Sequence, residues 1–315
     1  MVESKHKWKA WLYLAPAIVL LLIFTVWPIF NTLRMAFWDD YSIMKDLGGD
    51  LEYKFGIKNF VKVIDYQGFK DCLKNTLLLT VLTVPISTVL ALLIAVCLNS
   101  IKPLQRLLQT IFFLPYVTNS IAIGMVFEAM FNIIGLAVNP DGGWMAESWG
   151  IINNIIGVFG AEPINWINMN SSYWANMAVM VIYIVWNALP FKILILLGGL
   201  QSVNKQYYDA AKVDGTRRAR VFTRITVPLL SPMLAYVVIT GFIGGFKEYS
   251  SIVGIFGDDM KAVGTEHSLN TMVGYIYDAL GNREGRASAA ALILFAIIFV
   301  VTMINLYVSK KKTHY

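Results

Sequence analysis

The sequence has little charge and almost no cysteine. Only 15% of its 315 residues are Asp, Glu, Lys or Arg, whereas soluble domains carry about 25%. Hydrophobic residues make up 57% of the chain, and its mean hydropathy is +0.59. These values exclude an ordinary soluble domain and predict an integral membrane protein. Cys72 and Cys97 stand at opposite ends of one apolar run, so no disulfide framework is expected.

Signatures of chemistry are also missing. The chain has no G-x-x-x-x-G-K-[ST] motif to cradle ATP phosphates, no H-E-x-x-H motif and no Cys/His cluster. Its three histidines are scattered through polar segments. Nothing therefore indicates an enzyme, a metal site or a cofactor. The net charge of +6 comes from basic residues that flank apolar runs, which membrane topology explains better than nucleic-acid binding does.

Long apolar runs are what the chain does have. A bilayer requires roughly 20 apolar residues per helix, and isolated strands would leave backbone groups unsatisfied in lipid. Six segments qualify: about 11–33, 75–98, 107–131, 174–199, 229–249 and 288–308. The first run is too long for a signal peptide and lacks a small-residue cleavage site, so it is expected to be retained. The sequence thus predicts an all-α polytopic protein, with a short N-terminal segment (1–10) and one transmembrane domain (11–315).

Lys and Arg predict the orientation of these spans. Six of the 26 basic residues lie between Lys205 and Arg224, whereas the loop 132–173 has none. The loop 34–74 carries seven basic residues, but seven acidic residues accompany them. Because cytoplasmic loops are enriched in Lys and Arg, both termini and the loop 200–228 are expected to be cytoplasmic. A short helix is also expected in the loop 34–74, at 57–64.

The loop 200–228 has a pattern of its own. Ser202 or Asn204 can cap a short helix over 204–214, and Gly215 can end it in a left-handed conformation. The helix would carry aromatic and small residues on adjacent positions of one face: Tyr207, Tyr208, Ala210 and Ala211. Such a shallow apolar surface predicts a docking element. The alternative, a basic anchor that only fixes topology, requires the Lys and Arg residues but not this spacing.

Polar residues inside the apolar spans indicate a solute pathway. A charge at mid-bilayer costs about 2.5–3.5 kcal/mol on insertion scales, so it usually faces a cavity. The candidates for such a pathway are Tyr116, Ser120, Asn187, Phe191 and Glu248. Hydroxyls and amides beside aromatic rings suit an uncharged polyhydroxyl solute, although Ser and Asn can also join membrane helices to one another.

Two lysines in these spans, and Glu248 itself, have other possible explanations. Lys192 lies within two turns of the predicted cytoplasmic end of its span, so its side chain is expected to snorkel to the interface. Lys247 and Glu248 lie late in the fifth span. Either the pathway or the outer interface would account for them, and the sequence leaves that choice open.

The central loop resembles a known motif. Tyr208-Asp209-Ala210-Ala211-x-x-Asp214-Gly215, followed after nine residues by Ile225-x-Val227-Pro228, is similar to the "EAA" loop of permease subunits of binding-protein-dependent ABC importers. Asp209 stands where that family usually has Glu, and Thr216 where it often has Ala. Further segments resemble sugar-type permeases of the larger-half, maltose-permease-like type: 55–60, 113–116, 149–153 and 287–291. The Gly-Gly-Pro that this type has after the fifth span is missing.

The resemblance implies a type I ABC importer permease fold in a bacterial or archaeal cell membrane. It implies a second homologous permease, two ATP-binding subunits docking from the cytoplasm, and an extracytoplasmic solute-binding protein that delivers a carbohydrate, an oligosaccharide. It assigns coupling to the ATPase to Tyr208, Asp209, Ala210, Ala211, Asp214 and Gly215. It also matches Tyr116 and Ser120 to positions that line a sugar site, whereas Asn187, Phe191 and Glu248 rest on the cavity reasoning alone.

Two alternatives remain at the level of the sequence. The same importer type could carry glycerol phosphate or another small polar solute, but an anion would require Lys or Arg in the cavity. Lys247 could serve, although the neighbouring Glu248 argues against it. The other alternative is a secondary transporter or membrane sensor without ATPase partners. Secondary carriers often have inverted repeats and midplane carboxylates, and neither is visible here.

Overall fold

The computed structural model describes residues 7–48, 53–101, 107, 110, 111, 116, 118–132, 134–138, 141–148 and 150–312. Most regular structure in this part of the chain is helical. The helices are α1 (Lys7–Leu21), α2 (Trp27–Phe37), α3 (Ile43–Asp46), α4 (Lys58–Asp65), α5 (Gln67–Ser100), α6 (Ser120–Phe131), α7 (Gly150–Val158), α8 (Tyr173–Ser202), α9 (Lys205–Val213), α10 (Arg218–Val221), α11 (Val227–Leu229), α12 (Ser231–Phe246), α13 (Ser250–Phe256), α14 (Met272–Ala279) and α15 (Glu284–Lys312). Short π-helical segments, Leu22–Val26 and Phe222–Thr226, connect α1 to α2 and α10 to α11.

Among the described helices, four stretches are long and apolar enough to cross a membrane: Trp11–Phe37, Gln67–Ser100, Tyr173–Ser202 and Glu284–Lys310. A fifth crossing would combine Arg218–Leu229 with Ser231–Phe246, which meet at an angle of 68°. The predicted span 107–131 lies partly outside the described residues, and its described part includes the apolar helix α6. The prediction of an all-α membrane protein is confirmed.

The chain forms two compact units. One consists of Met1–Lys70 and Tyr275–Ala296, and the other of Asp71–Gly274 and Ile297–Tyr315. The helix predicted at 57–64 belongs to the first unit, where it is α4.

In the first unit, the buried side chain of Asn59 joins α4 to the end of α2. Its amide donates hydrogen bonds to the carbonyl oxygens of Ala36 (3.1 Å) and Trp38 (2.6 Å). Its Oδ1 accepts a hydrogen bond from the Asp40 backbone N–H at 3.2 Å. Gly285 packs closely against this side chain, because a Cβ added at Gly285 would come within 2.7 Å of the Asn59 amide nitrogen. A single asparagine therefore bonds to two carbonyls at a helix end, where carbonyls have no partner within the helix.

Two hydrophobic clusters form the core of the second unit. In one, buried side chains of α5, α6, α8 and α13 pack together, among them Leu79, Phe127, Tyr183 and Ile252. The other joins α5 and α8 to α12, with Leu230 at the break between α11 and α12. Because helices α5 and α8 contribute to both clusters, they form the scaffold on which the remaining elements of this unit are placed.

A small β-hairpin was not expected from the sequence. β1 (Ile134–Val138) pairs antiparallel with β2 (Trp144–Ser148), with Val138 opposite Trp144. The turn between them contains Gly142 at φ +84°, a conformation that glycine adopts without steric strain. The sequence of each flanking run carries too weak a signal to predict a strand by itself.

Candidate functional site

All five residues assigned to a solute pathway line one cavity of the second unit. The cavity has a volume of about 360 Å³, within the range of about 300–1,000 Å³ typical of ligand pockets. Its walls come from α5, α8, α12, the starts of α6 and α13, and the segment between α12 and α13. The predicted residues in its lining are Tyr116, Ser120, Asn187, Phe191 and Glu248.

A buried tyrosine fixes the polar side of this cavity. Tyr183 is 0% exposed in the core, and its hydroxyl donates a hydrogen bond to the Ser120 carbonyl at 2.8 Å. The same hydroxyl accepts a hydrogen bond from Asn187 Nδ2 at 3.1 Å. This hydrogen bond fixes the side-chain conformation of Asn187. The Oδ1 of Asn187 can still accept a hydrogen bond. Sequence reasoning missed Tyr183, although its spacing of four residues before Asn187 was a usable signal.

Two aromatic rings form an apolar wall of the cavity. Tyr116 and Phe191 stack with their ring centroids 5.8 Å apart and an interplanar angle of 17°. Tyr236 on α12 lies next to Phe191, with 6.4 Å between the ring centroids. The cavity therefore combines flat aromatic surfaces with hydroxyl and amide groups, which is the chemistry expected for binding a polar molecule that also has apolar faces.

Glu248 lies where the chain passes from α12 to α13. Its Oε1 accepts a hydrogen bond from the Ser251 backbone N–H at 3.3 Å, so the carboxylate caps the start of α13. Its backbone carbonyl accepts a hydrogen bond from Thr271 Oγ1 at 2.7 Å. Lys247 and Glu248 both line the cavity.

The prediction for Lys192 is wrong. Instead of snorkelling, its side chain is 4% exposed and lines the cavity. Its Nζ donates hydrogen bonds to Ser87 Oγ (2.7 Å), Thr88 Oγ1 (2.9 Å) and the Val84 carbonyl (3.3 Å), all on α5. The position of Lys192 within its span indicates how deep in the membrane the residue lies. It does not indicate the face of α8 from which the side chain projects. The adjacent hydroxyls of Ser87 and Thr88 near the middle of the predicted span were the available signal.

The loop helix is confirmed as α9. Asn204 provides the cap, because its Oδ1 accepts a hydrogen bond from the Gln206 backbone N–H at 3.0 Å. Ser202, the other candidate, instead donates a hydrogen bond to the Gly199 carbonyl at 2.7 Å. After α9, Gly215 adopts φ +63°, and Thr216 N–H bonds to the Ala211 carbonyl at 3.0 Å. This is the left-handed helix ending that the sequence indicated.

The proposed coupling residues lie on two different faces of α9 and in the two residues that follow it. Ala211 is buried and Tyr208 is half-buried, with its hydroxyl 3.4 Å from Thr226 Oγ1. These two residues therefore attach α9 to its own chain. The other four proposed coupling residues are exposed: Asp209, Ala210, Asp214 and Gly215.

Sequence reasoning missed one residue of the exposed face of α9. Val213 is 88% exposed, and it follows Ala210 and Tyr207 at intervals of three residues. Residues three apart are neighbours on a helix surface, so these side chains form a row that winds along α9. We call Tyr207, Ala210 and Val213 the outer stripe of α9. The three-residue spacing was the signal that could have identified Val213.

Membrane-spanning helices, an internal cavity with polar and aromatic walls, and a capped helix on a basic loop define a transport permease. Residues 87–314, more than half of the chain, match the family described as "Binding-protein-dependent transport system inner membrane component". The chain belongs to this family. It is the permease component of an ABC importer, in which the ATPase is a separate subunit, and it is a multi-pass membrane protein. Membership of this family removes the alternative of a secondary transporter or sensor.

Curated relatives match almost the full length of the chain. The lactose transport system permease protein LacF of Rhizobium radiobacter is 28% identical over 299 residues, covering 94% of this chain and 91% of that protein. The arabinooligosaccharides transport system permease protein AraP of Bacillus subtilis (strain 168) is 29% identical over 303 residues, covering 95% and 88%.

A solved structure has the same fold. It is a bacterial alginate ABC transporter in complex with an alginate pentasaccharide-bound periplasmic protein. The matching chain has a TM-score of 0.75 and 22% sequence identity, and the match covers 99% of this chain and 98% of that chain. This similarity confirms the ABC importer permease fold.

Proposed function

We propose that this permease forms half of a translocation pathway for a carbohydrate, an oligosaccharide, and that the cavity is its solute site. The observation that supports this most directly is the stacked pair of Tyr116 and Phe191 beside the fixed amide of Asn187. A sugar ring has apolar C–H faces and a polar rim of hydroxyls. The aromatic wall would take a face of the ring, while Asn187 and Ser120 would bind its hydroxyls.

The names of related proteins support a carbohydrate substrate. One relative is a lactose permease and another an arabinooligosaccharide permease, and the transporter of similar fold carries alginate. The lining residues Thr83, Ser87 and Thr240 add hydroxyl groups to the cavity. Each of these hydroxyls donates its hydrogen to a carbonyl four residues earlier in the chain, but its oxygen can also accept a hydrogen bond from a hydroxyl of a polyol.

We further propose that the chain works with four other subunits. A second homologous permease would complete the pathway, two ATP-binding subunits would dock on the cytoplasmic side, and an extracytoplasmic binding protein would deliver the solute. The stretch Trp11–Phe37 has no buried residue in its most apolar window. It is therefore available to lipid or to the second permease. In this arrangement both termini are cytoplasmic, residues 1–10 precede the transmembrane domain 11–315, and the loop 200–228 meets the ATPase.

In this proposal α9 transmits ATPase motion to the membrane helices. The outer stripe of Tyr207, Ala210 and Val213, with Asp209, Asp214 and Gly215 nearby, would enter a groove of one ATPase subunit. Tyr208 and Ala211 would hold α9 against the rest of the loop. Because a capped nine-residue helix moves as a rigid body, displacement of the ATPase would shift the segment that leads into α12.

Purification of the complex tests the proposed assembly. We expect a tagged chain in mild detergent to bring down a second permease and an ATPase with a phosphate-binding loop. The binding protein recovered with them would then be tested with sugars for stimulation of ATP hydrolysis. A chain that emerges alone, from a preparation that preserves other membrane complexes, would contradict the assembly. Stimulation by no saccharide would contradict the substrate.

A further inference from the structure

Lys192 lies at a junction of three helices in the cavity wall. It projects from α8 toward α5, where its Nζ contacts Ser87 and Thr88. On α12, a Cβ added at Gly241 would come within 3.2 Å of the same Nζ. The glycine leaves the space that the ammonium group requires. The side chain is thus built into the wall of the cavity.

No carboxylate neutralises this ammonium in the described part of the chain, because no Asp or Glu oxygen there lies within 4.0 Å of Lys192 Nζ. Its three donors instead go to three neutral oxygen atoms. Removing a charge from water without a counter-ion is costly, and an ionisable residue within a membrane span usually marks a functional site. Among the described residues, the ammonium of Lys192 therefore has no negative charge beside it to offset the cost of its burial.

The charges around the cavity have an excess of positive sign. Its described lining contains two lysines, Lys192 and Lys247, and one carboxylate, Glu248. Glu248 directs Oε1 to the backbone of Ser251, so part of its hydrogen-bonding capacity is already used. An anionic group on the solute would supply the missing negative charge.

We propose that the solute carries an anionic group, a carboxylate or a phosphate, that binds beside Lys192 while its polyhydroxyl part lies against Tyr116 and Phe191. This inference rests on the proposed function and names the class of its substrate: an acidic saccharide or a polyol phosphate rather than a neutral sugar. Of the three hydrogen bonds of Lys192, the one to the Val84 carbonyl is the longest at 3.3 Å. It is the bond that the ammonium exchanges for the anion.

The competing explanation is that Lys192 only fastens α8 to α5. In that case, removing the charge weakens the fold or the binding of every solute equally. Recognition of an anion instead predicts a change in preference between charged and neutral solutes. The decisive quantity is therefore a ratio of affinities, because a general loss of stability does not alter a ratio.

The test uses the purified complex and solute pairs that differ only in charge. Matched neutral and uronate oligosaccharides, together with glycerol 3-phosphate, are titrated while thermal stabilisation and ATP hydrolysis are measured. We expect tighter binding of the anionic members. Lys192→Gln should lower their preference over the neutral members by about tenfold or more, as expected for loss of a charge-assisted hydrogen bond. Lys192→Arg should retain much of the preference.

A matched control and the remaining outcomes separate the two proposals. Lys310→Gln removes an exposed lysine of α15 that is not in the cavity lining, and it should leave the preference unchanged. If neutral sugars bind as well as uronates, and Lys192→Gln weakens both alike, the anion inference is overturned but the carbohydrate proposal stands. A response to glycerol 3-phosphate alone supports the anion and contradicts the carbohydrate. Binding of none of the probes contradicts both.

Discussion

At the scale of single residues, Asp40 combines an unusual backbone conformation with two ion pairs. Its φ is +53°, and its carboxylate pairs with Lys58 at 2.7 Å and with Lys62. Hydrogen bonds to Lys58 and Lys62 lower the pKa of Asp40 from 3.8 to about 2. Because the folded-state pKa is depressed, the ion pairs stabilise the fold above pH 3.8, and this contribution is lost as the pH falls toward 2.

Replacement of Asp40 by asparagine should expose that pH dependence. Asn tolerates a left-handed backbone, so Asp40→Asn removes the charge without new strain. We expect a loss of less than about 1 kcal/mol at pH 7, because all three side chains remain partly exposed. The difference from the wild type should disappear near pH 2 in thermal unfolding scans of detergent-solubilised protein. A difference that persisted unchanged at that pH would show that the carboxylate charge is not its cause.

Gly215 is the residue at which the backbone conformation after α9 depends on glycine. Its φ is +63°, and nothing lies within 4 Å of a Cβ added there, so only backbone strain opposes a side chain. Gly215→Ala should cost about 1–2 kcal/mol locally and lower ATPase stimulation. Gly198→Ala is the control, because that helical glycine of α8 also has open space but no positive φ. If the two substitutions had equal effects on stimulated ATP hydrolysis, the proposed role of Gly215 in coupling to the ATPase would be contradicted.

At the scale of elements, two glycines allow α6 and α13 to cross in close contact. A Cβ added at Gly124 would lie 2.7 Å from the Cα of Gly254, and one at Gly254 would lie 3.0 Å from the Ile121 carbonyl oxygen. The obstructing atoms belong to the backbone, so the helices themselves would have to separate. Since Ser250 and Ser251 at the start of α13 line the cavity, this crossing also helps to position a cavity wall.

Gly124→Ala should therefore affect both the stability and the cavity. Overpacking of this kind costs about 1–3 kcal/mol, and we expect a lower unfolding midpoint together with weaker solute binding. Gly157→Ala on α7 is the control, because a Cβ there meets nothing within 4 Å. If Gly124→Ala lowered the unfolding temperature but left the affinity for solute unchanged, the crossing of α6 and α13 would not position the cavity wall.

At the scale of the whole molecule, the sequence predicted the apolar helices well because hydropathy and length determine what can cross a bilayer. The helix α9 was equally predictable, since Asn204 and Gly215 are local end signals that require no tertiary contact. The convergence of Tyr116, Asn187 and Glu248 on one cavity followed from the rule that polar groups avoid lipid.

Other features depend on contacts between distant segments and could not be derived from local patterns. Lys192 was misassigned because its environment is set by Ser87 and Thr88, more than a hundred residues earlier in the chain. The role of Tyr183 in holding Asn187 depends on its packing against α6. The β-hairpin depends on pairing of two short runs, for which each run alone carries too weak a signal.

Solute binding and energy supply should depend on different parts of the molecule. The chain has no P-loop motif, and in the family to which it belongs the ATPase is a separate subunit, so energy must enter through a contact with another subunit. If that contact is the outer stripe of α9, damage there should reduce the response to bound solute without changing solute affinity. Substitutions that disrupt the cavity should instead lower the affinity for solute and leave the maximal response unchanged.

Ala210→Asp places a carboxylate in the proposed contact, where it would be buried without a partner. We expect maximal solute-stimulated ATP hydrolysis to fall by about tenfold or more, with the half-maximal solute concentration unchanged. Asn187→Ala should instead raise the half-maximal concentration and leave the maximum intact. Thr223→Asp is the control, because it adds a carboxylate to an exposed position of the same loop away from α9. If Ala210→Asp changed the half-maximal concentration and spared the maximum, the cavity and α9 could not have the separate roles assigned to them.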